Sequence, residues 1–456
     1  MKLLYTAMIA GCLLSSCKKF LDIPFPQGQV SSGVVFSDDS TAAASVNGLY
    51  SQIMSGSPLF FNGSLTVYPG LSADELFNTS ANVTSDQFFG NAISPTENAQ
   101  IYNGFWRLGF VYVFHANAII EGLSVPNGVS PALKNRLKGE ALAIRALTYF
   151  HLTNLYGEVP LQLSTDYETN SKMSNTPVAK IYDQITSDLT DAVSLLPVTY
   201  PKPDRTRFNR FAAEAVLSRV YLYRKNYDKA ENFSSAVIDQ NATYNLESDL
   251  SRIFSLGSKE TILGLYPVAI SQNTGDGFAL LPNTSASSRP NFALTQYLLN
   301  SFESGDKRGI EWVKSKTVTG ITFNYPFKYR VKSSTVISET NVLFRLAEQF
   351  LIRAEARVMQ EKYALALEDL NLVRQRAGLL PLSLSSKNEI LNAIVKERRI
   401  ELMCEQGHRW FDLKRLDLAN DVLAGIKPGW TATDALYPIP QSNIDRNPFL
   451  KQNAGY

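Results

Sequence analysis

The 456-residue chain is poor in cysteine, histidine and tryptophan, with three, three and four of them. Cys12 and Cys17 both fall within the first seventeen residues, which leaves Cys404 alone in the body and no pairing for an internal disulfide. His115, His151 and His408 are scattered, with no cysteine at ligand spacing, and this excludes a structural zinc site of the usual kind. Lysine and arginine total 44 against 42 acidic residues, a formal net charge of +2. So weak a field gathers no polyanion, and nucleic acid is not an expected partner. After the leader, no stretch reaches the roughly 18 uninterrupted apolar residues of a membrane-spanning helix. The 45% of hydrophobic residues is nonetheless ample for a large core and excludes wholesale disorder.

What the sequence does carry begins at its start. Lys2 precedes an apolar run from Leu3 to Leu14, too short to cross a bilayer but of the length of a secretory h-region. Leu14-Ser15-Ser16-Cys17 then looks like a bacterial lipobox, whose thiol receives diacylglycerol. The expectation is a signal peptide over 1–16, a lipidated Cys17 and a tether over 17–36 containing Pro24, Pro26 and Gly28. Each acyl methylene contributes about 0.8 kcal/mol to membrane partitioning, so the body would be anchored outside the cytoplasm.

Beyond the tether, helical text alternates with loop and strand text. Small and apolar residues recur at three and four positions over Thr41 to Met54, Ala99 to Leu123, Ala132 to Leu155, Pro177 to Leu196, Arg210 to Arg224 and Tyr227 to Gln240. The same period returns over Val342 to Gln360, Tyr363 to Ala377 and Lys387 to Glu405. In two pairs a small residue recurs twelve positions on: Ser218 is followed by Ala230, and Ala354 by Ala366. That spacing resembles tetratricopeptide units and predicts a curved stack of helix pairs, with two unrelated helical hairpins as the alternative. Residues 55–98, 157–176 and 241–340 are rich in Gly, Asn, Ser and Thr, with β-prone runs over Thr261 to Tyr266 and Thr317 to Arg330. Long irregular insertions on a helical scaffold are where binding surfaces are expected.

Catalytic signatures are missing: there is no G-x-S-x-G, H-E-x-x-H, G-x-x-x-x-G-K-[ST] or EF-hand loop. Glu397, Glu401 and Glu405 lie four apart, and Glu405 with His408 has the spacing of half a di-iron site. Neither His115 nor His151 supplies the second half, so the favoured reading is ion pairing of these glutamates with Arg398, Arg399, Arg409 or Arg415.

Several motifs in order then resemble one family. Glu140-Ala141-Leu142-Ala143-Ile144-Arg145-Ala146 through Tyr156-Gly157 and Val159-Pro160-Leu161 looks like the N-terminal hallmark of the SusD/RagB outer-membrane lipoproteins. Arg353-Ala354-Glu355-Ala356, Val373 to Gly378, Glu397 to Leu402 and Glu405 to Arg415 resemble its C-terminal hallmarks, and Tyr437 to Tyr456 its closing tail. The resemblance implies a mostly α fold, a superhelix of TPR-like stacked helix pairs with long irregular loops and short β-hairpin insertions. It also implies one domain over 37–456, with an N-terminal half over 37–240 and a C-terminal half over 241–456. The implied protein is a non-enzymatic lipoprotein at the outer-membrane surface that captures oligosaccharides, or oligopeptides as in the RagB branch, for a SusC-like TonB-dependent transporter. No cofactor is implied, and whether a calcium ion supports a loop stays open. A lipoprotein glycoside hydrolase and a structural TPR scaffold are the rivals of another class.

Under this reading Arg145, Glu355, Arg398, Glu401 and Arg409 form buried ion pairs, while Trp410, Phe411 and Trp106 fill core. Sugar binding needs flat rings and amides. Two loop groupings offer them: Phe88 and Phe89 with Asn91, followed by Tyr102 and Asn103; and Trp312 with Phe323, Asn324 and Tyr325.

Overall fold

The computed structural model describes residues 35–56, 59–269 and 272–456. The signal segment, Cys17 and the tether as far as residue 34 lie outside the described residues. The end of the expected tether already belongs to the body: Phe36 is buried, its ring lying where a Cβ on Gly122 would stand.

Among the described residues helix dominates, in 18 α-helices, and the strands form three two-stranded sheets. In chain order the first half runs α1 (Asp39–Met54), α2 (Ser64–Ser72), β1 (Leu76–Asn78), α3 (Val83–Gly90), a π-helical turn (Ile101–Trp106), α4 (Arg107–Ser124), α5 (Pro131–Tyr156), α6 (Tyr167–Asn170), α7 (Val178–Leu195), α8 (Arg210–Tyr223) and α9 (Tyr227–Ile238). The middle contains β2 (Thr261–Leu265), α10 (Gly275–Leu280), β3 (Phe292–Leu294), α11 (Gln296–Leu299), α12 (Lys307–Glu311), β4 (Val313–Val318), β5 (Ile321–Pro326) and β6 (Asn341–Arg345). The last part adds α13 (Leu346–Met359), α14 (Tyr363–Arg376), α15 (Lys387–Glu401), α16 (His408–Arg415), α17 (Ala419–Leu423) and α18 (Gln441–Arg446).

The stack runs α4, α5, α7, α8, α9, α13, α14, each packed on the next, with α15 closing against α13. Apolar stripes such as Ile181, Ile185, Leu189 and Ala192 on α7 are fully buried in it. Charged pairs tie neighbouring helices. Arg145 on α5 meets Asp188 on α7 at 2.7 Å, Arg219 on α8 meets Glu348 on α13 at 2.6 Å, and Arg353 on α13 meets Asp369 on α14 at 2.7 Å. The two repeat-like pairs share a corner: three residues join each pair, and the middle one, Lys225 or Glu361, takes a left-handed φ of 57° or 63°. The same turn at the same place in both pairs favours repeated units over unrelated hairpins.

Two expected helices are shorter than the periodicity suggests. The run from Val342 opens as β6, which pairs antiparallel with β2, and the helix begins only at Leu346. Its first residues, Val342, Leu343 and Phe344, include a β-branched and an aromatic side chain, and burial on both faces of a strand hides the period. The helix from Lys387 stops at Glu401, because Cys404, Gln406 and Gly407 all take positive φ. That turn is fastened by backbone N–H groups: Cys404 donates to the Glu75 carboxylate at 3.1 Å and Gln406 to the Thr66 hydroxyl at 3.2 Å.

The turn aims the glutamates at partners other than those expected. Arg345 binds Glu260 (2.8 Å), Glu401 (2.5 Å) and Glu405 (2.8 Å), and Arg376 binds Glu260 (2.6 Å) and Glu401. Arg308 binds Glu397 (2.6 Å), Glu401 (2.9 Å) and Asp306 (2.8 Å), while Lys328 binds Glu405 (2.5 Å). Burial pushes the Glu401 carboxyl up, but Arg376, Arg345 and Arg308 together hold it well below the usual carboxylate range. Arg398 instead takes Asp412 at 2.8 Å, Arg409 takes Asp74 at 2.7 Å, and Arg415 takes Glu355 at 2.5 Å. Trp106, Trp410 and Phe411 are buried.

Candidate functional site

A cleft of about 630 Å³ opens where the loops of the first half meet those of the middle. Its frame is the sheet of β1 and β3, in which Asn78 pairs directly with Phe292. Residues opposite each other in a sheet share a face, so an amide and an aromatic ring stand side by side. Tyr68 on α2 and Phe278 on α10 add rings to the lining, and both they and Phe292 are buried or half-buried. Asn82, Asn103, Asn283 and Asn291 bring exposed amides to the rim.

Local chemistry explains how each group is placed. Asn82 caps α3, its Oδ1 accepting from the Ser85 N–H at 2.9 Å, and so its NH₂ is left towards the cleft side of the helix start. Gln100 crosses to donate to the Ser64 hydroxyl at 2.9 Å, through space that any Cβ on Gly104 would fill at 1.7 Å from its Nε2. α10 is clamped to the start of α2 by the Gly275 N–H, which donates to Asn62 Oδ1 at 2.7 Å; a Cβ at Gly275 would come within 2.4 Å of Asn62. Lys332 donates to the Phe278 and Leu281 carbonyls at 2.5 and 2.7 Å and lies 4.8 Å from the centre of the Phe278 ring. Burial lowers the Lys332 pKa, so these carbonyls and the ring share an ammonium poorly supplied with water. The β4–β5 hairpin braces the far rim: Lys316 donates to the Asn283 and Ser285 carbonyls at 2.9 and 2.8 Å.

The side-chain amides of Asn103, Asn283 and Asn291 make no hydrogen bond with another described residue. Half-buried rings beside unengaged amides can meet a ligand that has an apolar face and an edge of hydroxyls, which is the character of a pyranose. Glu75, just past α2, and Asp276, on α10, are fully enclosed, and burial pushes each carboxyl up to about 7. Among the described residues, no group of three or more His, Cys, Asp and Glu side chains is placed to hold a metal ion. His408 sits between Arg219, Arg398 and Arg345, and burial together with those charges drives its pKa well down.

The residues singled out from sequence distribute differently from expectation. Trp312 is 0% exposed, its Nε1 donating to the Leu250 carbonyl at 3.0 Å and its ring under Lys328 Nζ at 4.3 Å, so it is core and not a platform. Its charged neighbours turn away from it: Glu311 pairs with Arg330 at 2.9 Å, and Lys314 lies 5.7 Å from the centre of the Phe327 ring. Phe88 is likewise 0% exposed, packed against Tyr68 and Tyr437 at 4.6 and 5.2 Å. Asn91 is buried as the left-handed cap of α3 (φ 53°), donating to the Ser72 carbonyl at 3.1 Å. Phe89 is 41% exposed beside Lys427 (5.2 Å), away from the cleft lining. Tyr325 is half-buried against Phe327, and Phe323 packs with Ala293 and Val318 behind β3. Tyr102 and Asn103 part company on the π-helical turn: Asn103 lines the cleft and Tyr102 a second concavity. The residues missed by sequence reasoning, Tyr68, Asn78, Asn82, Phe278, Asn283, Asn291 and Phe292, mostly lie in the Asn- and Ser-rich segments; that bias was the available signal.

Comparison with known proteins places this geometry. Residues 317–456 match the model of the SusD family, and residues 62–222 match a model described as starch-binding and associating with the outer membrane. SusD-like protein P2 of Formosa agariphila is 25% identical, the match covering 94% of this chain and 95% of that protein. Starch-binding protein SusD of Bacteroides thetaiotaomicron is 22% identical, over 73% of this chain and 75% of its own. Among solved structures, a SusD superfamily protein from Bacteroides vulgatus superposes with a TM-score of 0.81 at 21% identity, covering 92% of this chain and all of its own. A laminarin-binding SusD-like protein gives 0.76 at 22% identity, again over 92% of this chain and all of its own. The two family matches cover most of the chain between them, in the halves that carry the hallmark motifs, and the chain belongs to the SusD/RagB family.

Proposed function

We propose that this chain is a non-catalytic binding protein that captures oligosaccharides in the cleft between α2, α3, α10 and the β1–β3 sheet. The observation that carries the reading is the Asn78–Phe292 pair, an amide held by Asp86 and a ring on one face, with the unengaged amides of Asn103, Asn283 and Asn291 around it. The starch-binding description of the matching family model and the laminarin-binding relative support a glucan as the first class to test. The lipobox at Cys17 supports attachment to the outer membrane at the cell surface, and the family supports delivery to a SusC-like TonB-dependent transporter. Capture at micromolar affinity, about −8 kcal/mol, suffices for a protein that must pass its ligand on.

Calorimetric titration with laminari- and malto-oligosaccharides tests the reading. Phe292→Ala is expected to weaken binding by the folded protein about tenfold, the loss of one good ring contact of about 1.4 kcal/mol, beyond a modest fall in melting temperature from its packing on the core. Binding of unmodified peptides with no glycan bound would give the oligopeptide alternative, and turnover of a bound glycan would make the protein an enzyme. Mass spectrometry of the cell-derived protein tests the acylated Cys17 start.

A further inference from the structure

The second concavity, of about 610 Å³, lies across the π-helical turn from the cleft, between the start of α4, the loop leading into α6, and α18. Tyr102, Trp106 and Phe110 line its inner side, and Tyr167, 81% exposed, stands over it. Its charge is one-sided. Arg107 and Arg446 line it and are exposed, and no aspartate or glutamate does so. Neither guanidinium makes a hydrogen bond or ion pair with another described residue, whereas the arginines of the stack are paired with carboxylates at 2.5–3.0 Å. The side-chain amide of Gln162 is unengaged there too, and Asn443 Oδ1, buried in the wall, has no donor.

We infer that this concavity is a second ligand site, selective for an acidic oligosaccharide whose sugar bears a carboxylate or a sulfate. The guanidiniums present planar forks of donors that suit an oxyanion. The rings supply a face for the sugar's C–H surface, and the amides match its hydroxyls. A carboxylate on the protein would repel such a ligand, and the lining has none. The assignment of a sugar rests on the reading of the chain as an oligosaccharide binder; the location and the charge preference rest on this concavity alone.

The test is titration of the full chain with an oligogalacturonate, its carboxyl-reduced neutral counterpart, a sulfated oligosaccharide and a short peptide with a free C-terminal carboxylate. Arg107→Ala and Arg446→Ala, both exposed and unpaired, are each expected to weaken the acidic sugar about tenfold, the loss of a charge-assisted contact. Salt at 0.5 M should weaken it further, while the neutral counterpart responds to neither change. Phe292→Ala in the cleft should leave the acidic sugar's affinity where it was. Equal affinity for the acidic and neutral sugars, or no effect of either arginine variant, overturns the second site while leaving cleft binding of neutral glucans intact. Arginine-dependent binding of the peptide and not of the sugars overturns the ligand class. Failure of every sugar at both places would instead remove the reading of the chain as a glycan binder.

Discussion

Trp312→Ala is expected to cost the protein its fold stability and not its ligand. The indole is fully enclosed, donates from Nε1 to the Leu250 carbonyl at 3.0 Å, and lies under the Lys328 ammonium at 4.3 Å. Truncating a buried tryptophan costs about 3–5 kcal/mol in transfer and cavity terms. Leaving the Leu250 carbonyl without its donor adds about 1–3 kcal/mol, with some overlap between the two. The sum, at most about 4–8 kcal/mol before that overlap, is a large share of the roughly 5–15 kcal/mol typical of a native domain. Trp312→Phe keeps a ring against Lys328 and loses the hydrogen bond, so about 1–3 kcal/mol should separate it from the wild type. Urea unfolding followed by far-ultraviolet circular dichroism measures both, and calorimetric titration of the fraction that folds measures affinity. A Trp312→Ala protein with a wild-type midpoint and no glycan binding would refute the placement of this indole in the core and return it to the ligand face.

Glu401→Gln removes the charge shared by Arg345, Arg376 and Arg308 and should destabilise by about 3–5 kcal/mol in the same unfolding assay. Glu303→Gln, at a partly exposed carboxylate facing Arg374 and Lys396, should cost less than about 1 kcal/mol. Burial, opposed by a hydrogen bond from Thr66 and aided by the nearby charge of Glu405, pushes the Asp276 carboxyl up to about 7. The folded protein therefore holds that proton more tightly than the unfolded chain, and stability is lost as pH rises from about 4 through about 7. Asp276→Asn should accordingly melt higher than wild type at pH 8, the difference closing towards pH 4; a gap that widens in acid would contradict it. Glu361→Gly, at a φ of 63° in the α13–α14 corner, should stabilise by up to about 1 kcal/mol, as read from the urea midpoint, because glycine adopts that conformation without the Cβ penalty.

The helical stack was legible because its information is local. Stripes such as Ile181, Ile185 and Leu189 repeat at the helical period, and the twelve-residue recurrence of small residues marks where two helices approach. The ion pairs were legible as a class but not as partners. Glu401 meets Arg345, Arg376 and Arg308, which lie 56, 25 and 93 positions away, and nothing near Glu401 in the chain names them. β6 was misread for the opposite reason: Val342, Leu343 and Phe344 are all buried, and a strand covered on both faces shows no alternation. The aromatics were the least legible. An exposed and an enclosed tryptophan look alike in sequence, and Trp312 stands between the end of α12 and the start of β4, where charged neighbours say nothing of the side that the indole takes. The cleft depends on the pairing of Asn78 with Phe292, 214 positions on, and only the fold brings them together.

The buried charges and the open amides are two parts of one arrangement. Lys328, which belongs to the ion network through Glu405, roofs Trp312, and the Trp312 carbonyl accepts from the Phe327 N–H at 2.7 Å to close the base of the β4–β5 hairpin. The hairpin in turn holds the loop carrying Asn283 through Lys316. Charges locked in this way cannot serve a ligand, since each removed partner leaves an uncompensated ion in the interior. They fix the rim from behind, so that amides on exposed loops keep their places without hydrogen bonds of their own. A binding protein that must also release its ligand is served by this division: the costly interactions are spent on the scaffold, and the face offered to the sugar holds unpartnered, solvated groups whose contacts form and break at modest cost.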